Sequence, residues 1–164
     1  MKTYVGITGH RPSYFKNAEQ ERLRFLTRFG YAFDSLSFLE SENLILANGG
    51  APGVDYWALE YALKHKIPFE LYLPFSVSEL KKFRTKKEYE FLNKCIKSNF
   101  CMGQYEASKT YNSRAYQQRN RSVVDKSFVV LAYWTGNTKS GTFNCIKYAL
   151  QRNKLVWNLY EKRS

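Results

Sequence analysis

The chain has few of the residues that staple a small fold or mark a metalloprotein. Of its 164 residues only Cys95, Cys101 and Cys145 are cysteines, and no two of them form a CxxC pair. His10 and His65 are the only histidines, so no metal-ligand cluster can be spelled out, and neither a metal nor another cofactor is called for. No apolar run approaches the roughly 18 residues that span a bilayer. The opening residues, Met1 to Ile7, move straight into a strand pattern without the tripartite layout of a secretory signal. A cytoplasmic protein with reduced, buried thiols and no membrane partner is the expectation.

Acidic residues are also scarce. Fourteen Asp and Glu stand against 26 Lys and Arg, a net charge of +12. Such a balance favours an anionic partner, either nucleic acid or a phosphorylated small molecule. The cations are spread along the chain, however, and the densest cluster, Lys81 to Lys87, has Glu79, Glu88 and Glu90 beside it. Charge alone therefore does not choose between the two. With 44% apolar and 24% charged residues the composition is that of a globular domain, and the length suits one domain spanning residues 1–164.

Short β-branched or apolar runs read as strands: Tyr4 to Thr8, Leu44 to Ala47, Phe69 to Leu73, Phe128 to Trp134 and Leu155 to Leu159, with a weaker one around Phe100 to Met102. Between them lie apolar positions at spacings of three and four. They run through Leu23, Leu26, Phe29, Phe33, Leu36 and Leu39, then Val54, Trp57, Ala58, Tyr61 and Ala62, and later Cys145, Ile146, Ala149 and Leu150. Leu80, Phe83, Phe91, Leu92, Cys95 and Ile96 suggest one more charged helix, and another is expected over residues 112–125. Strands alternating with helices specify a three-layer Rossmann-like α/β fold with a mainly parallel sheet.

A parallel sheet brings the carboxyl ends of its strands to one edge. Three polar turns fall there. Thr8-Gly9-His10-Arg11 follows the first strand and offers three donors around a glycine. Gly49, Gly50 and Gly53 precede a helix that carries Asp55 in its first turn, so free backbone N–H groups and the helix dipole favour an anion. Asp55 either complements that dipole or accepts hydrogen bonds from a ribose or base. Gly136, Ser140, Gly141 and Thr142 form the third turn, again at a helix start. Arg119, with Asn120 beside it, lies on the helix that feeds the Phe128 to Trp134 strand and can reach the same edge.

Gly6-Ile7-Thr8-Gly9-His10-Arg11-Pro12, Gly49-Gly50-Ala51-Pro52-Gly53-Val54-Asp55, and Arg119-Asn120 through Ser140-Gly141-Thr142 resemble the SLOG superfamily. That superfamily includes DprA (Smf), the LOG phosphoribohydrolases and YspA/YpsA-like proteins, and the resemblance is nearest to the YspA-like branch. It implies a Rossmann-like domain that binds nucleotide-derived ligands, commonly as a homo-oligomer. By that resemblance Arg119 falls on the LOG arginine that contacts substrate phosphate and ribose, and Gly141-Thr142 on the phosphate-binding Gly-Thr. The sequence departs from the hydrolases after that point: Phe143, Asn144 and Cys145 stand where LOG enzymes carry glutamates. An amide or thiol cannot replace a carboxylate base, which argues against hydrolysis and leaves no catalytic residue assigned.

Three functions fit these residues. The first is a binding module for a phosphate-bearing nucleotide derivative, an NAD/ADP-ribose-type or cyclic nucleotide signal, acting as sensor or sequestering protein in phage–host defence or counter-defence. The second is an N-glycosidase of the phosphoribohydrolase kind. The third is a DprA-like binder of single-stranded DNA, for which +12 charge and 17% aromatic content provide phosphate tracking and base stacking.

Overall fold

The computed structural model describes residues 2–40 and 43–162. Six strands form one parallel sheet: β1 (Thr3–Gly9), β2 (Leu44–Asn48), β3 (Phe69–Leu73), β4 (Cys101–Glu106), β5 (Val129–Tyr133) and β6 (Leu155–Asn158). Their order is β4-β3-β2-β1-β5-β6, with every neighbouring pair parallel. The chain thus builds outward from β1 to one edge, then crosses back to lay β5 on the other side of β1. That reversal creates a crevice at the carboxyl ends of β1 and β5, where α/β folds place their ligands.

Helices cover both faces, giving three layers. The strands alternate strictly. Val5, Ile7, Leu44, Leu46, Phe69, Leu71, Val129, Leu131 and Tyr133 point into one large core beneath α1 (Ala18–Glu40), α2 (Val54–Lys64) and α4 (Lys86–Lys97). Val130 points the other way, onto Val124 of α5 (Ala115–Lys126) and onto Cys145 and Ala149 of α6 (Gly141–Gln151). Burial on both faces explains why β2 and β5 read as almost continuous apolar runs; β3 is interrupted by Glu70, buried and accepting from the Tyr4 and Tyr72 hydroxyls at 2.8 and 2.6 Å. Among the described residues no helix is long and apolar enough to cross a membrane.

Three local expectations need correction. The segment from Leu80 to Ile96 is not one helix: a short α3 (Val77–Leu80) runs into a 3-10 turn (Lys81–Phe83), and α4 starts afresh. Thr85 causes the restart. Its hydroxyl accepts from the Glu88 N–H at 3.2 Å, while the Glu88 carboxylate accepts from the Thr85 N–H at 2.8 Å, a reciprocal capping box that satisfies two orphan donors. The strand around Phe100 to Met102 is longer than expected, reaching Glu106; as an edge strand it carries polar residues that mask its pattern. Leu23, placed in the core stripe of α1, is 55% exposed, because the packed face of that helix runs through Phe25, Phe29, Ala32, Phe33 and Leu36.

Thr85→Ala is expected to cost about 1 kcal/mol in urea unfolding without changing the denaturant slope.

Candidate functional site

The turns after β1, β2 and β5 meet at the crevice and, with α5, line a pocket of about 130 Å³. The packing is close. The first turn offers a carbonyl to α2: His10 O accepts from Val54 N at 3.3 Å. The second turn is braced from below by Asn48, fully buried, whose amide donates to Asp55 O at 2.8 Å and whose Oδ1 accepts from Gly50 N at 2.8 Å. The third turn is closed by Ser140, the N-cap of α6, which accepts from Phe143 N at 3.1 Å and donates to Asn137 O at 2.8 Å. No acidic side chain occupies the first turn of α6, so its positive end faces the pocket unopposed.

Of the residues singled out from the sequence, Thr8, Gly9, His10, Arg11, Gly49, Asp55, Arg119, Asn120, Ser140, Gly141 and Thr142 line this pocket. Gly50, Gly53 and Gly136 do not. A side chain at Gly50 would meet Leu73, and one at Gly53 would meet the backbone of His10 and Arg11. These two glycines adopt positive φ (67° and 96°), which turns the chain. Gly136, at φ 97°, lies outside the pocket lining. Glu60, further along α2, lies outside the pocket lining and pairs with Arg22 at 2.6 Å.

Arg119 dominates the electrostatics. It is only 7% exposed, yet it forms no ion pair among the described residues. Its Nη1 donates to the Gly49 carbonyl and its Nε to Asn120 Oδ1 at 2.8 Å; Nη2 makes no hydrogen bond among the described residues. Asp55, also 7% exposed, accepts from Ala51 N at 3.1 Å. Gly49 separates the two charges. A methyl group there would stand 2.9 Å from Arg119 Nη1 and 3.0 Å from Asp55 Oδ2. Burial pushes the Asp55 carboxyl above its ordinary value, opposed chiefly by Arg119; burial likewise pulls Arg119 down, opposed by Asp55. A guanidinium that starts above about 12 stays charged at neutral pH, so the pocket holds a buried cation short of a counter-charge in contact.

Several pocket residues carry no signal in the sequence. Cys145, on the inner face of α6, lies at the pocket near Thr8 and Arg119; burial pushes its thiol up to about 11 despite the Thr8 hydrogen bond and the Arg119 charge, so it is a neutral wall and not a nucleophile. Tyr14 stacks on His10 with ring centroids 4.5 Å apart and nearly parallel planes, and its hydroxyl approaches Lys139 O at 3.5 Å. It joins the first turn to the third. Among the described residues no group of three His, Cys, Asp or Glu could hold a metal.

His10 itself is 1% exposed. Its Nε2 accepts from Thr135 N at 3.1 Å, which puts the proton of the neutral ring on Nδ1, and that buried N–H has no partner among the described residues. Burial lowers the imidazole from 6.5 to about 4. An unfolded chain binds this proton more readily than the folded one, so the stability it contributes is full above about pH 6.5 and is lost as pH falls towards 4. Urea unfolding of the wild type is expected to weaken between pH 7 and pH 4.5 by on the order of 2 kcal/mol more than that of His10→Gln. Equal slopes in the two proteins would contradict the assignment. Gly49→Ala is expected to destabilise by about 1–3 kcal/mol in the same assay, because its methyl is forced between Arg119 and Asp55.

The same arrangement of sheet, turns and helices occurs in known proteins. The fold is similar to the structural genomics target TM1055 (TM-score 0.59, 15% identity, 94% of this chain and 72% of that one). It is also similar to DprA from Streptococcus pneumoniae (TM-score 0.66, 15% identity, 94% and 49%) and to DNA processing protein A from Helicobacter pylori (TM-score 0.63, 21% identity, 94% and 63%), whose structure is described with a single-stranded DNA binding mode. Identities this low establish a shared fold and nothing finer, and the chain spans about half to two thirds of the length of these two DprA proteins. No curated protein matches it. The sequence profile of DNA recombination-mediator protein A matches residues 27–163, beginning after the first glycine turn and taking in the second, Arg119 and the third. The chain therefore belongs to the DNA recombination-mediator protein A family, the DprA-like branch of the SLOG superfamily.

Proposed function

We propose that the pocket binds the phosphate of a nucleotide-derived ligand, with Arg119 and the N-terminus of α6 as its two anion-binding elements. One observation carries this reading: a buried guanidinium lines the pocket with an unused Nη2 donor and no ion-pair partner among the described residues. An uncompensated buried charge costs several kcal/mol unless a counter-ion meets it, and a phosphate is the group whose geometry suits both the arginine fork and free helix N–H groups. Charge-assisted hydrogen bonds of this kind are worth about 1.5–3 kcal/mol each.

The volume limits what enters. About 130 Å³ takes a phosphoryl group but is well below the ~300–1,000 Å³ of a drug-sized ligand site. The sugar and base of such a ligand therefore extend outside this volume. Asp55 is the one carboxylate lining the pocket among the described residues, and we assign it to the ligand's hydroxyls or base donors. In this reading the protein acts as a sensor or a sequestering protein for an NAD/ADP-ribose-type or cyclic nucleotide signal. A glycosidase would have to use Asp55 alone; release of free base from AMP or NAD by the purified protein is its test, and no release is expected.

A second reading is favoured by the family itself: the phosphate in the pocket belongs to single-stranded DNA. The net charge of +12 supports it. The two readings separate by salt. Binding of a strand that contacts several phosphates falls steeply with ionic strength, whereas a single phosphate in a pocket gives a shallow slope.

Gly141→Ala tests the pocket without disturbing the fold. A methyl there meets no protein atom within 4 Å, so the melting temperature is expected to hold or rise slightly. Crowding of the helix start should weaken binding of AMP, ADP-ribose or an oligonucleotide by roughly tenfold or more in calorimetric titration. Failure of the wild type to bind any member of a panel of adenine nucleotides, NAD, ADP-ribose forms, cyclic dinucleotides and oligonucleotides would overturn the proposal.

A further inference from the structure

On the β3–β4 side of the same sheet edge lies a feature that the pocket does not use. Phe83, in the 3-10 turn after α3, and Tyr111, in the connection from β4 to α5, are 44% and 56% exposed and face one another with ring centroids 5.5 Å apart and planes tilted by 34°. Because the two rings contact one another, they present a joint aromatic face to solvent. They are not loose. Phe75, fully buried, packs against both, at 6.0 Å from Phe83 and 5.5 Å from Tyr111. The connections that carry them are stitched together by the Ser76 hydroxyl donating to Lys109 O at 2.7 Å and by Ser108 N donating to Pro74 O at 3.0 Å.

The pair is continuous with the pocket by two routes. Through the core, Phe75 meets the Tyr116 ring edge-on at 5.2 Å, and the Tyr116 ring lies 6.0 Å from the Arg119 guanidinium. Along the surface, Arg84, next to Phe83, reaches the Gly50 carbonyl at 3.5 Å, and its Nε is buried without a partner among the described residues. The surrounding charge is cationic and partly uncommitted. Lys82 is paired with Glu79 at 2.9 Å and Lys109 with Glu106 at 3.5 Å, but Arg84 and Arg114 form no ion pair among the described residues. An aromatic surface flanked by free guanidinium groups, beside a phosphate-sized pocket too small for a nucleoside, fits a chain of nucleotides better than a single one.

We propose that Phe83 and Tyr111 form a stacking platform for a base of single-stranded DNA whose backbone phosphate occupies the Arg119 pocket, with Arg84 on the intervening phosphate. The proposal rests on the strand reading given above and adds to it the place where a base is held. Stacking tolerates any base, so the platform contributes affinity without sequence preference.

The test uses fluorescence anisotropy with a labelled oligothymidylate of ~12 nucleotides, within the usual span of such sites. Phe83→Leu combined with Tyr111→Leu keeps apolar contact with Phe75 but removes both π-faces. The double variant is expected to bind the oligonucleotide about tenfold more weakly or worse, with an unchanged salt slope, unchanged AMP affinity and a near-native melting temperature. Tyr111→Trp should bind more tightly than wild type, a gain that a merely structural role would not give. Wild-type affinity in the double variant, with binding still lost in Gly141→Ala, would overturn the platform and leave the pocket standing. Equal loss of AMP and oligonucleotide binding in the double variant would overturn it too, in favour of a mononucleotide whose base stacks there. If the wild type binds AMP but no oligonucleotide at any salt, the strand reading falls and the platform falls with it.

Discussion

The site is organised around one buried guanidinium. Arg119 reaches the sheet edge from α5, and the fold holds it there with neutral acceptors, the Gly49 carbonyl and the Asn120 amide, in place of a carboxylate in contact. Everything nearby follows from leaving room for that arrangement. Position 49 must lack a side chain, because a methyl would stand between Arg119 and Asp55. Asn48 must brace the turn from below so that its carbonyl points at the arginine. Asp55 lies close enough to moderate the charge across Gly49 without closing on it. A cation kept this dry and this incompletely paired stores affinity for an anion, since the anion brings the counter-charge that the protein withholds.

The alternation of the strands supplies the rigid support. Odd-numbered positions of β1 and β5 enter the large core under α1 and α2, while the opposite face takes α5 and α6. The two helices that present Arg119 and Gly141 thus pack on the same side and against each other, and their spacing is fixed by Val124, Cys145 and Ala149 rather than by loops. Cys145 is instructive here. Where LOG hydrolases carry acidic residues after Gly-Thr, this chain has a side chain that packs towards the pocket floor with its proton held in place by burial. With an apolar side chain there, Asp55 is the one carboxylate that lines the pocket among the described residues.

Much of this is legible in the sequence because periodicity and glycine placement are local signals. Phe69 to Leu73 has both faces buried and reads as a strand end to end; the turns after β1, β2 and β5 announce themselves by glycine next to a helix start. What the sequence hides depends on contacts between distant segments. Thr85 and Glu88 spell a capping box, but the apolar spacing from Leu80 to Ile96 runs through it and masks the break. Leu23 matches the helical period yet lies off the packed face, since the orientation of α1 is set by Phe25 and Phe29. Arg84 reads as one member of a mixed-charge run; only the fold brings it to the Gly50 carbonyl, 34 positions back in sequence. Tyr14 stacks on His10, and no spacing rule foretells that. Gly50, Gly53 and Gly136 resemble ligand-binding glycines in composition, whereas two of them serve the turn itself and the third lies outside the pocket.

Soaking crystals with tungstate, a heavy analogue of phosphate, tests the central claim most directly, because anomalous scattering locates the anion whatever the natural ligand is. The account predicts a peak in the crevice within hydrogen-bonding reach of Arg119 Nη2 and the Gly141 and Thr142 N–H groups, absent in Gly141→Ala crystals. Tungstate bound only at exposed lysines, with the crevice free of anomalous density, would contradict it.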